Sequence, residues 1–269
     1  EVLAEETRRL FPMFPDKSNL VPVTGLGRSE DYQNAVSSIV EEDKTGACFR
    51  ITPREVSERK VADKLEALLS RLRLDMADAD LAVDYQAPNR SQPDLKTLCA
   101  SLPQLSKWRS FIVLIGAFPR DLQKLEKNRR HNLPRDDWLF WHNQVRTLPR
   151  GTRRPTFGDY TIQHPVYKEP PGNPNPSASI RYTHSEYWVI MRGQGLCHKG
   201  SPGNAQYPAE AQLLCEMDEF CKADFSRGDL YIEETSQDRS SPGTPYTWLR
   251  AGINHHMTYA TRQVRHFVG

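Results

Sequence analysis

Apolar and polar positions alternate along this chain in two periods, and the periods trade places. Ala47-Cys-Phe-Arg-Ile51, Asp80-Leu-Ala-Val-Asp84 and Ser110-Phe-Ile-Val-Leu-Ile115 are short apolar runs that predict strands, the last suited to burial on both faces. Residues 20–25 predict another strand, although Pro22 is unusual in a central one. Between these runs the period is helical. Ser29 is a cap for a helix carrying Tyr32, Val36, Ile39 and Val40. Thr52-Pro-Arg-Glu55 has the capping-box form and leads into a stripe of Val56, Val61, Leu65, Leu68, Leu69 and Leu72. Asp94 caps a helix with Leu95, Leu98 and Cys99. Residues 120–144 read as mainly helical, broken near Pro134.

Further along, residues 158–162 predict a fifth strand. Residues 180–183 and 187–192 predict a sixth, as a hairpin about His184-Ser185-Glu186. A helix is expected over 209–220, and a short extra strand or irregular segment over 229–233. Asn254 is expected to cap a last helix with Met257, Ala260, Thr261, Val264 and Val268 on one side. Residues 1–18 read as the end of a helix and a turn, and the proline-rich stretch 169–177 as a loop. Strand and helix alternate four times, which implies βα units and a parallel sheet in one α/β domain. Six strands fall short of the eight of a closed (β/α)8 TIM-like barrel. The alternative is an open doubly wound sheet.

Composition changes this picture little. The 269 residues are 38% hydrophobic and 26% charged, an ordinary globular mixture. No apolar run is long enough for a membrane span, and the charged start does not read as a signal peptide. Five cysteines without a C-x-x-C pair read as reduced, mostly buried thiols of a cytoplasmic protein. Charge is unevenly spread. Residues 120–154 hold ten basic against four acidic residues, among them Arg129, Arg130, Arg153 and Arg154. Such a segment is either a patch for nucleic acid or a protein partner, or a solvated helix face.

In a parallel sheet, functional side chains collect beyond the C-terminal strand ends. That rule gathers Arg50, Asp84, Gln163, His164, Arg181 and Tyr182 on one rim, with Asp159 nearby. Arg50 and Arg181 suit an anion clamp, or else an internal pairing with Asp84 or Asp159. Asp159, His164 and Asp84 are the acid/base candidates, and Asn254, His255 and His256 form a second polar knot expected to meet the first. Each has a structural alternative: a turn hydrogen bond for Asp159, a held ring for His164, a capped helix start for Asn254. No phosphate loop, nucleophile elbow or zinc motif is present, and no cofactor or metal is indicated.

Several longer stretches resemble the phage and bacterial "beta protein" family. They are Val21-Pro-Val-Thr-Gly-Leu-Gly-Arg28, Leu133-Pro-Arg-Asp-Asp-Trp138, Phe157-Gly-Asp-Tyr-Thr-Ile-Gln-His-Pro165, Ile180-Arg-Tyr-Thr183, Asp224-Phe-Ser-Arg-Gly-Asp229 and Gly252-Ile-Asn-His-His-Met-Thr-Tyr259. The resemblance implies a TIM-type barrel, with two further strands ahead of residue 1 that would complete eight. It also implies a setting near phage-defence or mobile-element genes, and no established catalytic role for any residue. The polar rim and the basic segment, rather than the resemblance, carry two functional expectations. One is hydrolysis or transfer on a phosphate-containing nucleotide or nucleic-acid substrate. The other is a non-catalytic sensor or adaptor in a defence complex.

Overall fold

The computed structural model describes residues 20–89, 91–166, 168, 176–238 and 241–268. The helix end expected before residue 19 and most of the loop 169–177 lie outside the described residues. In chain order the elements are β1 (Val23–Thr24), α1 (Glu30–Asp43), β2 (Ala47–Ile51), α2 (Pro53–Val56), α3 (Val61–Leu72), β3 (Ala79–Gln86), α4 (Leu95–Ser101) and β4 (Ser110–Ile115). They continue with β5 (Arg129–Pro134), α5 (Asp136–Thr147), β6 (Thr156–Asp159), β7 (Ser177–Thr183), β8 (Tyr187–Gly195), α6 (Tyr207–Cys215), α7 (Arg227–Gln237) and α8 (Pro245–Val268). The chain forms two compact units, residues 1–115 with 140–158, and residues 116–139 with 159–269.

The first unit is built on a five-stranded sheet in the order β1-β2-β3-β4-β6. The pairings from β1 through β4 are parallel. β3 is buried along nearly its whole length, as a central strand covered by helices on both faces must be. Pro22 immediately precedes β1, an edge strand among the described residues; its carbonyl accepts the Cys48 amide at 2.8 Å, and a proline is tolerated at the start of a strand, where only one ladder donor is lost. The expected caps form. Ser29 accepts the Tyr32 amide, Asp94 accepts that of Thr97, and Thr52 with Glu55 closes a full capping box. α3 buries Leu65, Leu68, Leu69 and Leu72, the stripe the periodicity marks.

In the second unit the sheet is three-stranded, ordered β5-β8-β7, and every pairing is antiparallel. The β7–β8 hairpin turns at His184-Ser185-Glu186, where the His184 amide donates to the Tyr187 carbonyl at 2.9 Å. Alternation along β7 and β8 gives the sheet two apolar faces. Ile180, Tyr182, Val189 and Met191 pack with Tyr207, Leu214, Ile232 and Trp248 of the helices. Trp188 and Ile190 pack with Phe118, Leu122 and Ile162.

Five expectations need correction. The antiparallel strands cannot serve as consecutive strands of an all-parallel barrel, so the parallel part of the fold is the five-stranded sheet. Residues 120–144 are not one broken helix, because residues 129–134 pair with β8 and the helix starts only after Pro134. Residues 229–233 are helical. Ser226 caps that helix by accepting the Gly228 and Asp229 amides, and Gly228, Asp229, Ile232 and Thr235 are its buried positions, so the apolar run Leu230-Tyr-Ile crosses from the exposed to the buried face of one helix. Asn254 lies inside α8, which begins nine residues earlier at Pro245, with Thr244 accepting the Thr247 amide. All five cysteines are free, but only Cys99 is buried and Cys197 is exposed, so "mostly buried" does not hold. No helix among the described residues is long and apolar enough to cross a membrane.

Candidate functional site

The C-terminal ends of β1, β2 and β3 open onto a cleft of about 300 Å³ in the first unit. One wall is the loop of residues 25–28 between β1 and α1. A Cβ on Gly25 would come within 2.5 Å of the Arg50 carbonyl, so the loop approaches β2 closely enough to require glycine. Gln33 pins the loop from α1: its amide donates to the Gly25 carbonyl at 2.9 Å and its oxygen accepts from the Thr24 hydroxyl at 2.8 Å. The other wall is Arg50, Thr52, Glu55, Asp84 and Gln86.

Arg50 stands at the end of β2 with Nε and Nη2 both on Asp84 Oδ2, at 2.9 and 2.5 Å. The other Asp84 oxygen accepts the Gln86 amide at 2.8 Å. The carboxylate is 3% exposed and the guanidinium side chain 38%, so the pair is rooted in the protein and faces solvent with its cationic end. Glu55 is committed to the capping box, taking both the amide and the hydroxyl of Thr52. Arg28 lies over the Tyr32 ring at 5.1 Å. No carboxylate pairs with it among the described residues. A cleft with two guanidiniums and two already committed carboxylates is suited to an anion.

A second polar cluster fills the interior of the second unit. Asp159 Oδ2 accepts from His256 Nε2 at 2.8 Å, and His256 Nδ1 lies 2.8 Å from the Thr183 hydroxyl. Next along α8, His255 Nδ1 meets the Asp229 carboxylate at 3.0–3.1 Å and its Nε2 meets the Thr183 carbonyl at 2.8 Å. Both nitrogens of His255 face oxygen atoms, so the ring is fixed between the Asp229 carboxylate and the Thr183 carbonyl. Tyr182 donates to Asp229 at 2.6 Å and accepts the Cys221 amide at 2.8 Å. Burial and the Asp229 carboxylate hold the Tyr182 phenol far above its ordinary range. Burial raises Asp159, but the hydrogen bond and charge of His256 outweigh it and leave the carboxyl below its usual value. Burial pushes nearby Asp137 up to about 7, against the pull of Arg135.

The geometry of that cluster is a carboxylate–imidazole–hydroxyl chain, but Thr183 and His255 are fully buried and His256 is 1% exposed. Its evident work is to fix α8 on β7. Two consecutive imidazoles end on one residue, Thr183, through its side chain and its backbone. Gly252 lets the helix come this close, since a Cβ there would sit 2.6 Å from the Arg181 carbonyl.

The remaining candidates separate. His164 turns to the backbone of Val166, whose amide donates to Nδ1 at 3.0 Å, so Asp159 is engaged with His256 rather than with His164. Gln163 is exposed. Arg181 donates to the Ile162 carbonyl at 2.9 Å and lies over the Phe118 ring, and burial lowers it to about 10. It pairs with neither Asp84 nor Asp159. Asn254 accepts the Gly228 amide at 2.8 Å, so it caps α7 through space. Of the basic segment, Arg129 pairs with Glu126 at 2.9 Å and Arg130 pairs with Glu219. Arg153 donates to the carbonyls of Leu105, Trp108 and Arg109. Arg154 is exposed. Sequence reasoning missed Thr183, Asp137 and Asp229 as members of the polar cluster. The signal for the last was the spacing of Ser226 and Asp229 at a helix start.

These features define a two-unit α/β protein with a polar cleft at the C-terminal edge of a parallel sheet. Residues 3–262 match the Beta protein family, and the chain belongs to that family. No curated protein and no solved structure matches the chain.

Proposed function

We propose that the protein is a non-catalytic binding module that takes a small phosphate-bearing ligand, such as a nucleotide, in the cleft between residues 25–28 and Arg50. The observation that carries this reading is the Arg50–Asp84 fork. A guanidinium already held by a buried carboxylate loses little freedom when it meets an anion, and Arg28 supplies the uncompensated positive charge. The cleft volume lies at the lower end of the range for small-ligand sites.

Turnover would need an acid or base free to reach the ligand. Both cleft carboxylates are held, Asp84 by Arg50 and the Gln86 amide, and Glu55 by Thr52. That favours binding over hydrolysis or transfer. On the basic segment Arg129 and Arg130 hold glutamates and Arg153 holds carbonyls, which reduces the free positive charge available to a nucleic-acid strand. In the phage-defence setting that the family resemblance implies, such a module is a sensor or adaptor with the ligand as its signal.

The test is calorimetric titration of inorganic phosphate, AMP and ATP into the wild type, Arg28→Ala and Arg50→Lys. The lysine keeps a cation beside Asp84 but loses the fork. Saturable binding by at least one probe, weakened about tenfold or more in both variants and with the ligand recovered unchanged, supports the reading. Absence of binding by all three, or turnover of the nucleotides, contradicts it.

A further inference from the structure

A groove of about 460 Å³ runs between α7 and α8. Its floor is rigid and narrow. Gly228 packs directly under the Ala251 carbonyl, and the Gly228 amide is tied to Asn254. Its walls are Tyr231, Thr247, Ile253 and Met257, with Arg227 and Arg250 at the rims and no acidic residue in the lining.

Three large apolar side chains stand exposed on these two helices: Tyr246 at 67%, Met257 at 58% and Leu230 at 44%. They are three of the seven such residues among those described, and Met257 lines the groove itself. Tyr246, Arg250, Asn254, Met257, Thr261 and Arg265 recur every three or four residues, which makes one exposed stripe along α8. α8 carries Arg250, Arg262 and Arg265 and no Asp or Glu. Among the described residues neither Arg227 nor Arg250 is paired with a carboxylate. The Arg250 guanidinium instead lies over the Tyr246 ring at 5.7 Å.

We infer that this face of α7 and α8 is a docking surface for an acidic amphipathic helix of a partner protein. The two-helix groove matches the apolar face of such a helix, and no strand edge borders it to recruit an extended peptide. Exposed Met and Tyr beside unpaired Arg is the composition of interface centres. Charge selects the occupant: a basic helix meets two unpaired arginines, whereas glutamates flanking an apolar stripe pair with them.

The probes are two fluorescein-labelled synthetic helices of about 18 residues, long enough to span most of α8. Both carry Leu at helical spacing. One has Glu and the other Lys at the flanking positions. Anisotropy titrations of the full chain are expected to show saturable binding of the acidic helix, at least about tenfold tighter than the basic one. Arg227→Glu/Arg250→Glu should reverse that preference, and Met257→Glu should weaken the acidic helix by about tenfold or more, with circular dichroism unchanged because all three positions are exposed. Equal affinity for the two helices, no saturable binding of the acidic one, or indifference to the charge reversal overturns the inference. So does sedimentation showing a dimer that Met257→Glu dissolves, which would assign the face to a second copy of this chain.

Discussion

Arg50→Met removes both of the guanidinium's hydrogen bonds to Asp84 Oδ2 and leaves a carboxylate 3% exposed that still accepts the Gln86 amide. Stripping one partner from a fully buried pair costs about 3–5 kcal/mol. Here the guanidinium end is 38% exposed, so water can partly replace it, and about 2–3 kcal/mol is expected. Adding Asp84→Asn removes the stranded charge and keeps an oxygen for the Gln86 amide. The double variant should therefore return to within about 1 kcal/mol of the wild type. Phosphate binding should fail in both, because the fork is absent from both. Urea unfolding followed by circular dichroism gives the stabilities, and calorimetry gives the binding. A cost below about 0.5 kcal/mol for Arg50→Met would mean that the pair is not rooted as described. A double variant that binds phosphate as tightly as the wild type would refute the reasoning outright.

Burial pushes Glu210 up to about 8 from 4.5, and its Oε2 has no partner among the described residues. The unfolded carboxyl ionises first, so stability falls as pH rises through that window. Glu210→Gln should match the wild type at pH ~4 and exceed it by about 2–4 kcal/mol at pH ~9 in urea titrations, and parallel profiles would show that the group is solvated. Thr183→Val leaves His256 Nδ1 without its hydroxyl and should cost about 1–2 kcal/mol in unfolding free energy while phosphate binding persists. Loss of binding without loss of stability would move Thr183 from scaffold to site. Gly252→Ala gains helix propensity but drives a Cβ to 2.6 Å from the Arg181 carbonyl, so a net loss of about 1–3 kcal/mol is expected, and a rise in thermal midpoint would contradict that close approach.

The parallel sheet was legible because its strands are short apolar runs punctuated by local capping signals. Ser29, Thr52 with Glu55, and Asp94 each act within three residues of themselves, so their roles can be read from spacing. Asn254 shows the limit of that logic. Its residue type marks a helix cap correctly, but the helix it caps is α7, twenty-six residues away, and only packing decides that. Leu230-Tyr-Ile reads as a strand because three apolar residues in a row carry no period. Ser226 and the buried spacing of Ile232 and Thr235 settle it as helix. β5 was hidden for the opposite reason: Arg129-Arg-His-Asn is polar and exposed, as an edge strand can be. Partner choice among polar residues was the least legible. Arg50 was open to Asp84 or Asp159, and the observed pair is between adjacent strands. His164 and Asp159 are close in sequence, yet α8 supplies the imidazole that Asp159 takes.

The binding site is tested most directly by titrating inorganic phosphate into isotopically labelled protein and following backbone amide and arginine Nε resonances. Shifts concentrated at Gly25, Gly27, Arg28, Thr52 and Arg50 Nε are the expected result. Shifts that leave these positions unmoved and collect elsewhere would contradict it.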